Sequence, residues 1–116
     1  MIGVLSTALI GADVTAAGAA DAAPSGCPTG YVCGWSARDY KGSMWWTAPV
    51  PSGQCVKVGH TNSIFNNANG IRYARIWNFA DGAAGGGYWC SGANMILAPG
   101  KGIRNLGFDG SGLGGL

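Results

Sequence analysis

The stretch CPTGYVCGWSARDYKGSMWW, residues 27–46, contains two of the four cysteines and three of the five tryptophans of the chain. Such a density of rare residues fits a ligand-binding surface, an active site or the packed core of a small protein. Within it, Trp35, four spacers, Tyr40, one spacer and Gly42 follow one another. In a β-hairpin that folds over, this spacing brings the two aromatic rings together, and Gly42 takes a positive φ that leaves room for a ring. The stretch therefore predicts a folded hairpin.

The first 22 residues predict a secretory signal peptide. Residues 2–12, IGVLSTALIGA, are apolar but too few to span a bilayer, and Ala-x-Ala patterns follow at residues 17–19 and 20–22. No Lys or Arg precedes the apolar run, so we expect the translation start to lie upstream of Met1. The alternative is a buried N-terminal helix. We expect cleavage near Ala22, a single domain at residues 23–116, and an extracellular location.

The charged residues of the domain exclude several classes of function. Residues 23–116 hold all seven Lys and Arg against three Asp and no Glu, a net charge of +4 with His60 neutral. The basic residues are scattered, which argues against a nucleic-acid partner, and no run is apolar enough for a membrane span. His60 lacks a nearby carboxylate in sequence, so we place it in a loop and expect no enzyme and no catalytic residue. We expect a monomer without a cofactor.

Four cysteines predict two disulfides. Cys27, Cys33, Cys55 and Cys90 lack the paired Cys-x2-Cys spacing of structural zinc sites, and a small exported domain benefits from covalent bonds. Three pairings are possible, and the sequence alone does not choose among them. We favour Cys27 with Cys33 and Cys55 with Cys90, because the second bond closes a long loop and restricts the unfolded chain more.

Short runs of β-branched and aromatic residues, separated by Gly, Pro, Asn and Asp, predict an all-β fold. These runs are residues 31–35, 44–47, 55–58, 72–78 and 95–97. An internal repeat adds to this, because residues 40–49 superpose on residues 90–99 without a gap, with Gly42 on Gly92 and Pro49 on Pro99. Two related β modules, each too small to bury a core alone, would pack face to face as a sandwich.

The opening stretch resembles that of the secreted actinobacterial peptidase inhibitors of the Streptomyces metalloproteinase inhibitor type. In addition, NSIFNN at residues 62–67 resembles their inter-module segment, CSG at residues 90–92 their second-module turn, and APGKGIRNLGF at residues 98–108 their closing strand region. The resemblance implies a βγ-crystallin-like sandwich of two Greek-key modules and an inhibitory function. It is carried by Cys27, Pro28, Gly30, Tyr31, Cys33, Trp35, Tyr40, Gly42 and Cys55.

The second half departs from the pattern of that family. Gly85 replaces the aromatic residue expected before Cys90, FADGAAGGG at residues 79–87 has the composition of an inserted loop, and the Gly-rich end at residues 108–116 is expected to fray. The crystallin-type calcium pattern is not matched around Asn62 and Ser63, where no Asp lies nearby. Because calcium prefers several carboxylate oxygens, we expect no metal site.

An inhibitor needs a loop that is already ordered before it enters the protease cleft. PVPSGQCVKV at residues 49–58 contains two prolines that stiffen it and a cysteine that ties it down. Our candidate inhibitory residues are Gln54, Cys55, Val56 and Lys57, with the main contact at Cys55-Val56, since thermolysin-like metalloproteases favour a large apolar residue after the scissile bond. The alternative is that Val56 and Val58 are ordinary core-facing strand residues. The expected partner is an extracellular protease, a metalloprotease in particular.

A competing function follows from the tryptophans. Trp45 and Trp46 are adjacent, so on a strand they point to opposite faces and only one can lie in the core. The other, with Tyr88 and Trp89, could form an aromatic platform for cell-wall polysaccharide or a surface that attacks microbial membranes, as in killer-toxin-like βγ-crystallins.

Overall fold

A computed structural model describes residues 21–82 and 85–116 of the chain. Residues 1–20 of the predicted signal peptide lie outside the described residues. Within the described ranges, no helix is long and apolar enough to cross a membrane. The described residues form eight strands: β1 (Val32–Ala37), β2 (Lys41–Thr47), β3 (Cys55–Thr61), β4 (Ser63–Asn66), β5 (Ala74–Gly82), β6 (Tyr88–Leu97), β7 (Gly102–Ile103) and β8 (Gly110–Gly115).

The strands form two antiparallel four-stranded sheets, in the orders β2-β1-β4-β7 and β3-β8-β5-β6. Strands β1 to β4 belong to the first half of the chain and β5 to β8 to the second. In each half the fourth strand lies beside the first, whereas the third strand crosses to the sheet of the other half. Because each sheet needs a strand from both halves, the two modules form one interlocked sandwich, which confirms the predicted all-β, two-module fold.

The hydrophobic core lies between the two sheets. Val32 and Ile64 project inward from the first sheet, and Ile76, Leu97 and Leu113 project inward from the second. All five are at most 2% exposed. Neither half could bury these side chains alone, so folding of one module depends on the other.

The predicted folded hairpin is present between β1 and β2. The ring centroids of Trp35 and Tyr40 are 4.9 Å apart, and Gly42 has a φ of 85°. The space at Gly42 is used by the hydroxyl of Ser36 rather than by a ring, which corrects that detail of the prediction. It is Gly102, on β7, that leaves room for the Tyr40 ring.

The second hairpin repeats this arrangement with a covalent bond. Cys90 stands at the repeat position of Tyr40, and Gly92 has a φ of 89° where Gly42 has 85°. The structure pairs Cys90 with Cys55, and a Cβ added to Gly112 would lie 2.6 Å from the Cys90 sulfur. The disulfide thus holds the second hairpin over its sheet, as the aromatic contacts hold the first.

The other disulfide joins Cys27 to Cys33, with the Cα atoms 5.9 Å apart. Both bonds are the ones favoured by the loop-closure argument. Cys33 is fully buried on the outer face of the first sheet, where it packs with Trp35 and Phe65 in a second hydrophobic cluster. The bond therefore fastens the segment before β1 over that cluster.

Two of three segments differ from the sequence expectations. Residues 79–82 continue strand β5, so they are not part of an inserted loop. Residues 62–67, which resemble an inter-module segment, contain β4, and the four residues of this strand are buried in the first sheet. His60 lies in strand β3 rather than in a loop.

The Gly-rich end does not fray. Strand β8 lies inside the second sheet between β3 and β5, and Gly110, Gly112 and Gly114 are buried. Added Cβ atoms at Gly110 and Gly112 would come within 2.8 Å of Ile76 Cγ1 and of the Phe79 carbonyl oxygen, respectively. The glycines are needed because neighbouring groups occupy the space of a side chain, an effect that composition alone does not indicate.

Candidate functional site

The candidate inhibitory residues follow an exposed turn. The Gln54 N–H donates to the Pro51 carbonyl oxygen over 3.2 Å, and Gly53 adopts a φ of 80°. Residues 51–54 are all exposed. Strand β3 begins at Cys55 and is an edge strand of the second sheet. The exposed turn therefore lies at the edge of the second sheet, where Ser52 forms a bridge with Gly115 of β8.

The side chains of this segment point in different directions. Gln54 and Lys57 are exposed, whereas Val56 is half-buried and faces the hydrophobic core. Val56 pairs with the fully buried Leu113, and Val58, two residues further along β3, packs against the same core. Val56 and Val58 thus both contact the core, and neither is fully buried.

The Cys55–Cys90 disulfide fixes the start of β3 to the second hairpin, with the Cα atoms 5.8 Å apart. Cys55 pairs with Gly114 on the face of the sheet opposite to Val56. The segment is consequently held on both faces, by a covalent bond outside and by apolar packing inside.

Two open cavities border the candidate segment. Gln54 and Cys55 line one of about 350 Å³ together with Tyr88 and Trp89. Val56 and Lys57 line another, of about 310 Å³, which also contains Trp45 and Trp46. The predicted aromatic platform is therefore divided, because Trp46 does not line the cavity that contains Tyr88 and Trp89.

The orientation of the adjacent tryptophans is resolved. Trp46 points outward and is 54% exposed. Trp45 lies on the inner face, in space left by Gly34, and its Nε1–H donates to Thr61 Oγ1 over 2.8 Å. Trp46 is thus the tryptophan of this pair that is available to a partner.

Sequence reasoning missed Arg75 and Trp77, which line the same cavity as Gln54 and Trp89. The Arg75 guanidinium carbon lies 5.2 Å from the centroid of the Trp77 ring. The alternating pattern of residues 72–77 predicts a half-exposed strand with both side chains on one face, and this signal could have identified them. Arg75 and Trp77 come close to Gln54 and Trp89 because of the order of the strands in the second sheet.

His60 does acquire a carboxylate partner in space. Its Nε2 atom lies 3.0 Å from Asp109 Oδ2, with side chains 71% and 49% exposed. The neighbouring hydroxyl groups of Thr61 and Ser111 donate to the backbone oxygens of Gly59 and Asn78, so they serve the fold. The described residues contain no group of three or more His, Cys, Asp or Glu that could hold a metal ion.

Comparison with known proteins identifies the family. No curated protein and no solved structure gives a significant match to the chain. The sequence model of peptidase inhibitor family I36 matches residues 20–91, which is more than half of the chain. The match includes the first hairpin, the candidate segment 54–57 and both disulfides. The chain therefore belongs to peptidase inhibitor family I36.

Proposed function

We propose that the protein is a secreted inhibitor of extracellular metalloproteases and that Gln54, Cys55, Val56 and Lys57 form its inhibitory segment. The observation that carries this proposal is the exposed turn at residues 51–54, which leads directly into a disulfide-bonded edge strand. Such a segment is ordered before binding, so association with a protease does not require its chain entropy to be lost.

The double attachment of the segment also favours inhibition over digestion. If a protease cleaved the Cys55-Val56 peptide bond, Cys55 would remain bonded to Cys90 and Val56 would remain packed against the core. The two new ends would stay close together, which slows product release and favours re-formation of the bond. Val56 is only half-buried and also borders an open cavity, so its exposed part can supply the apolar residue after the bond that metalloproteases of the thermolysin type favour.

Matched valine variants test this location. Val56→Ala and Val58→Ala remove the same atoms from neighbouring positions of β3 that pack against one core. We expect similar losses of thermal stability, but a rise of about tenfold or more in the inhibition constant for Val56→Ala alone, equivalent to about 1.4 kcal/mol. Alanine is preferred to aspartate, because a carboxylate at the half-buried, core-facing Val56 would destabilise the domain and confuse loss of contact with loss of fold.

The assay uses the purified secreted protein against a panel of extracellular metalloproteases and serine proteases. Inhibition of thermolysin with weaker inhibition of subtilisin is the expected pattern. If no protease of the panel is inhibited, the proposed function is wrong. Equal effects of the two valine variants would instead place the inhibitory contact outside the segment.

Binding of cell-wall polysaccharide is the second candidate function. It is supported by Tyr88 and Trp89, which line one cavity and are each close to half accessible; Trp46 is equally exposed but lines a different cavity. Aromatic side chains of this kind can stack on sugar rings. Retention on insoluble peptidoglycan or chitin without any protease inhibition would favour this function over the first.

A further inference from the structure

The cavity beside Gln54 and Cys55 is a groove on the outer face of the second sheet. Gly114 and Gly115 of β8 line it, and a Cβ added to Gly114 would lie 3.1 Å from the Gln54 carbonyl oxygen and 3.4 Å from Trp77 Nε1, so the glycine lets these groups lie close to β8. The groove has a volume of about 350 Å³, and its aromatic walls are formed by Trp77, Tyr88 and Trp89. Tyr88 and Trp89 are 46% and 50% exposed, so an incoming partner can reach them.

Arg75, which forms no ion pair among the described residues, lines this groove. The ion pairs among the described residues join His60 to Asp109, Lys101 to Asp21 and Arg104 to Asp39, and none includes Arg75. The Arg75 Nε atom is buried and has no hydrogen-bond partner in the described part of the chain. A buried Nε is out of reach of a ligand, but the Nη groups of Arg75 are not buried without a partner and can donate to a ligand in the groove.

The chemistry of the groove selects an acidic ligand. A planar guanidinium matches a carboxylate, and stacking on an indole leaves its N–H groups available at the edge. Aromatic walls exclude water when the groove is covered, and a lower local dielectric strengthens the ion pair. A cationic ligand is disfavoured, because the lower dielectric also strengthens its repulsion from Arg75.

The position of the groove indicates what covers it. Gly53, Gln54 and Cys55 belong both to the groove and to the turn and segment assigned to inhibition. A stable protein complex buries about 800 Å² on each partner, much more than four residues supply. A protease that engages the segment must therefore cover surface beside it.

We propose that this groove is a second docking site for the inhibited protease, which inserts an Asp or Glu side chain against Arg75 between Trp77 and Trp89. The proposal rests on the inhibitory function proposed above. It names a contact outside the protease cleft that adds affinity and selects proteases with an acidic residue at the matching position.

Two pairs of variants test the groove. Arg75→Gln and Arg72→Gln each remove one positive charge, but Arg72 does not line the groove. Trp89→Ala and Trp46→Ala each remove an indole, 50% and 54% exposed, from opposite sides of the segment. We expect Arg75→Gln to raise the inhibition constant about 30-fold or more, and Arg72→Gln to change it by less than about threefold.

We expect Trp89→Ala to weaken inhibition and Trp46→Ala to leave it nearly unchanged. The effect of Arg75 should shrink as salt is added, because screening weakens the ion pair. Melting temperatures are measured in parallel, and Trp89→Ala provides an exposed test position should Arg75→Gln fail to fold.

The outcomes separate this inference from the proposed function. If the unmodified protein inhibits a protease and the groove variants inhibit it equally well, the docking site is wrong while the inhibitory function stands. If the unmodified protein inhibits none, both are wrong. If Arg75→Gln and Trp89→Ala lose binding to insoluble peptidoglycan but keep full inhibition, the groove is a carbohydrate site and the proposal is overturned.

Discussion

Tyr40 connects the first hairpin to the rest of the sandwich. Its ring contacts Trp35 and packs edge-on against Phe65, with centroids 6.3 Å apart in the second pair. Its backbone N–H donates to Ser63 Oγ over 3.0 Å, and its φ is 60°, in the left-handed region. Such a φ is uncommon outside glycine, so these contacts together hold the residue in a conformation that the isolated hairpin would not favour.

Burial raises the pKa of the Tyr40 hydroxyl above 10.0, while the nearby Arg104 guanidinium opposes the shift. A raised pKa in the folded state means that the unfolded chain releases this proton first as pH increases. The contribution of Tyr40 to stability is therefore complete below pH 10.0 and is lost above it. We expect Tyr40→Phe to lose less stability than the unmodified protein on the alkaline side, measured by denaturant unfolding at a series of pH values. Identical alkaline slopes for the two proteins would contradict this.

Gly112 tests whether the glycines of β8 are required by packing. An added Cβ would lie 2.6 Å from the Cys90 sulfur, 2.8 Å from the Phe79 carbonyl oxygen and 3.0 Å from Ala80 Cβ. We expect Gly112→Ala to lower the free energy of unfolding by about 1–3 kcal/mol, because the rigid disulfide cannot move aside. Gly87→Ala is the control, since nothing lies within 4 Å of its added Cβ, and should change stability by less than about 0.5 kcal/mol. Equal changes in the free energy of unfolding of the two variants would show that chain entropy, rather than packing around Gly112, determines the effect of the substitution.

At the scale of elements, the two disulfides differ in how much they stabilise the fold and in which elements they connect. The Cys27–Cys33 bond spans 6 residues and the Cys55–Cys90 bond spans 35. In the chain-entropy account, loss of the long bond costs about 4 kcal/mol and loss of the short one about 2 kcal/mol. The long bond also connects β3, from the first half of the chain, to the hairpin formed by β5 and β6 in the second half.

We expect the double variant Cys55→Ser/Cys90→Ser to become a substrate of the protease that it otherwise inhibits, because residues 54–57 lose their outer attachment. Cleavage is followed by mass spectrometry. Cys27→Ser/Cys33→Ser serves as the control and should lose stability while its segment 54–57 stays resistant. Cleavage of both variants at that segment, or of neither, would show that the Cys55–Cys90 disulfide does not protect the segment from the protease.

The elements differ in how far the sequence predicts them. Strands β1 and β2 carry aromatic and β-branched residues with a glycine at the fold of the hairpin, and these local signals predict them well. Strand β8 has the sequence GSGLGG, and its strand conformation comes from pairing on both sides with β3 and β5. Because pairing between distant segments is not encoded locally, this strand was missed.

The same limit applies to the candidate site. Cys55 and Val56 were identifiable from a cysteine in a proline-stiffened segment, since that is a local pattern. The groove with Arg75 and Trp89 was not identifiable from the sequence. It forms only when β3, the third strand of the first half, enters the sheet of the second half. Exchange of strands between halves is thus what brings residues 54–57 to the groove.

At the scale of the whole molecule, the domain uses residues that precede the expected cleavage at Ala22. The Asp21 N–H donates to the Gly100 carbonyl oxygen over 2.7 Å, and Asp21 Oδ2 accepts from the Gly102 N–H over 3.3 Å. Asp21 Oδ1 also lies 3.9 Å from Lys101 Nζ. These contacts join the start of the domain to the segment that leads into β7, and cleavage after Ala22 would remove them.

We therefore expect the mature chain to begin at Ala20, after the Ala-x-Ala pattern at residues 17–19, which agrees with the start of the family match at residue 20. Intact mass and N-terminal sequencing of the secreted protein measure this directly. The two possible products differ by the mass of Ala20, Asp21 and Ala22. Ala19→Tyr should block the first site and shift processing, because a bulky residue does not fit a small-residue cleavage site, whereas Ala22→Tyr should have no effect. A mature N-terminus at Ala23 would show that the Asp21 contacts are absent from the secreted domain.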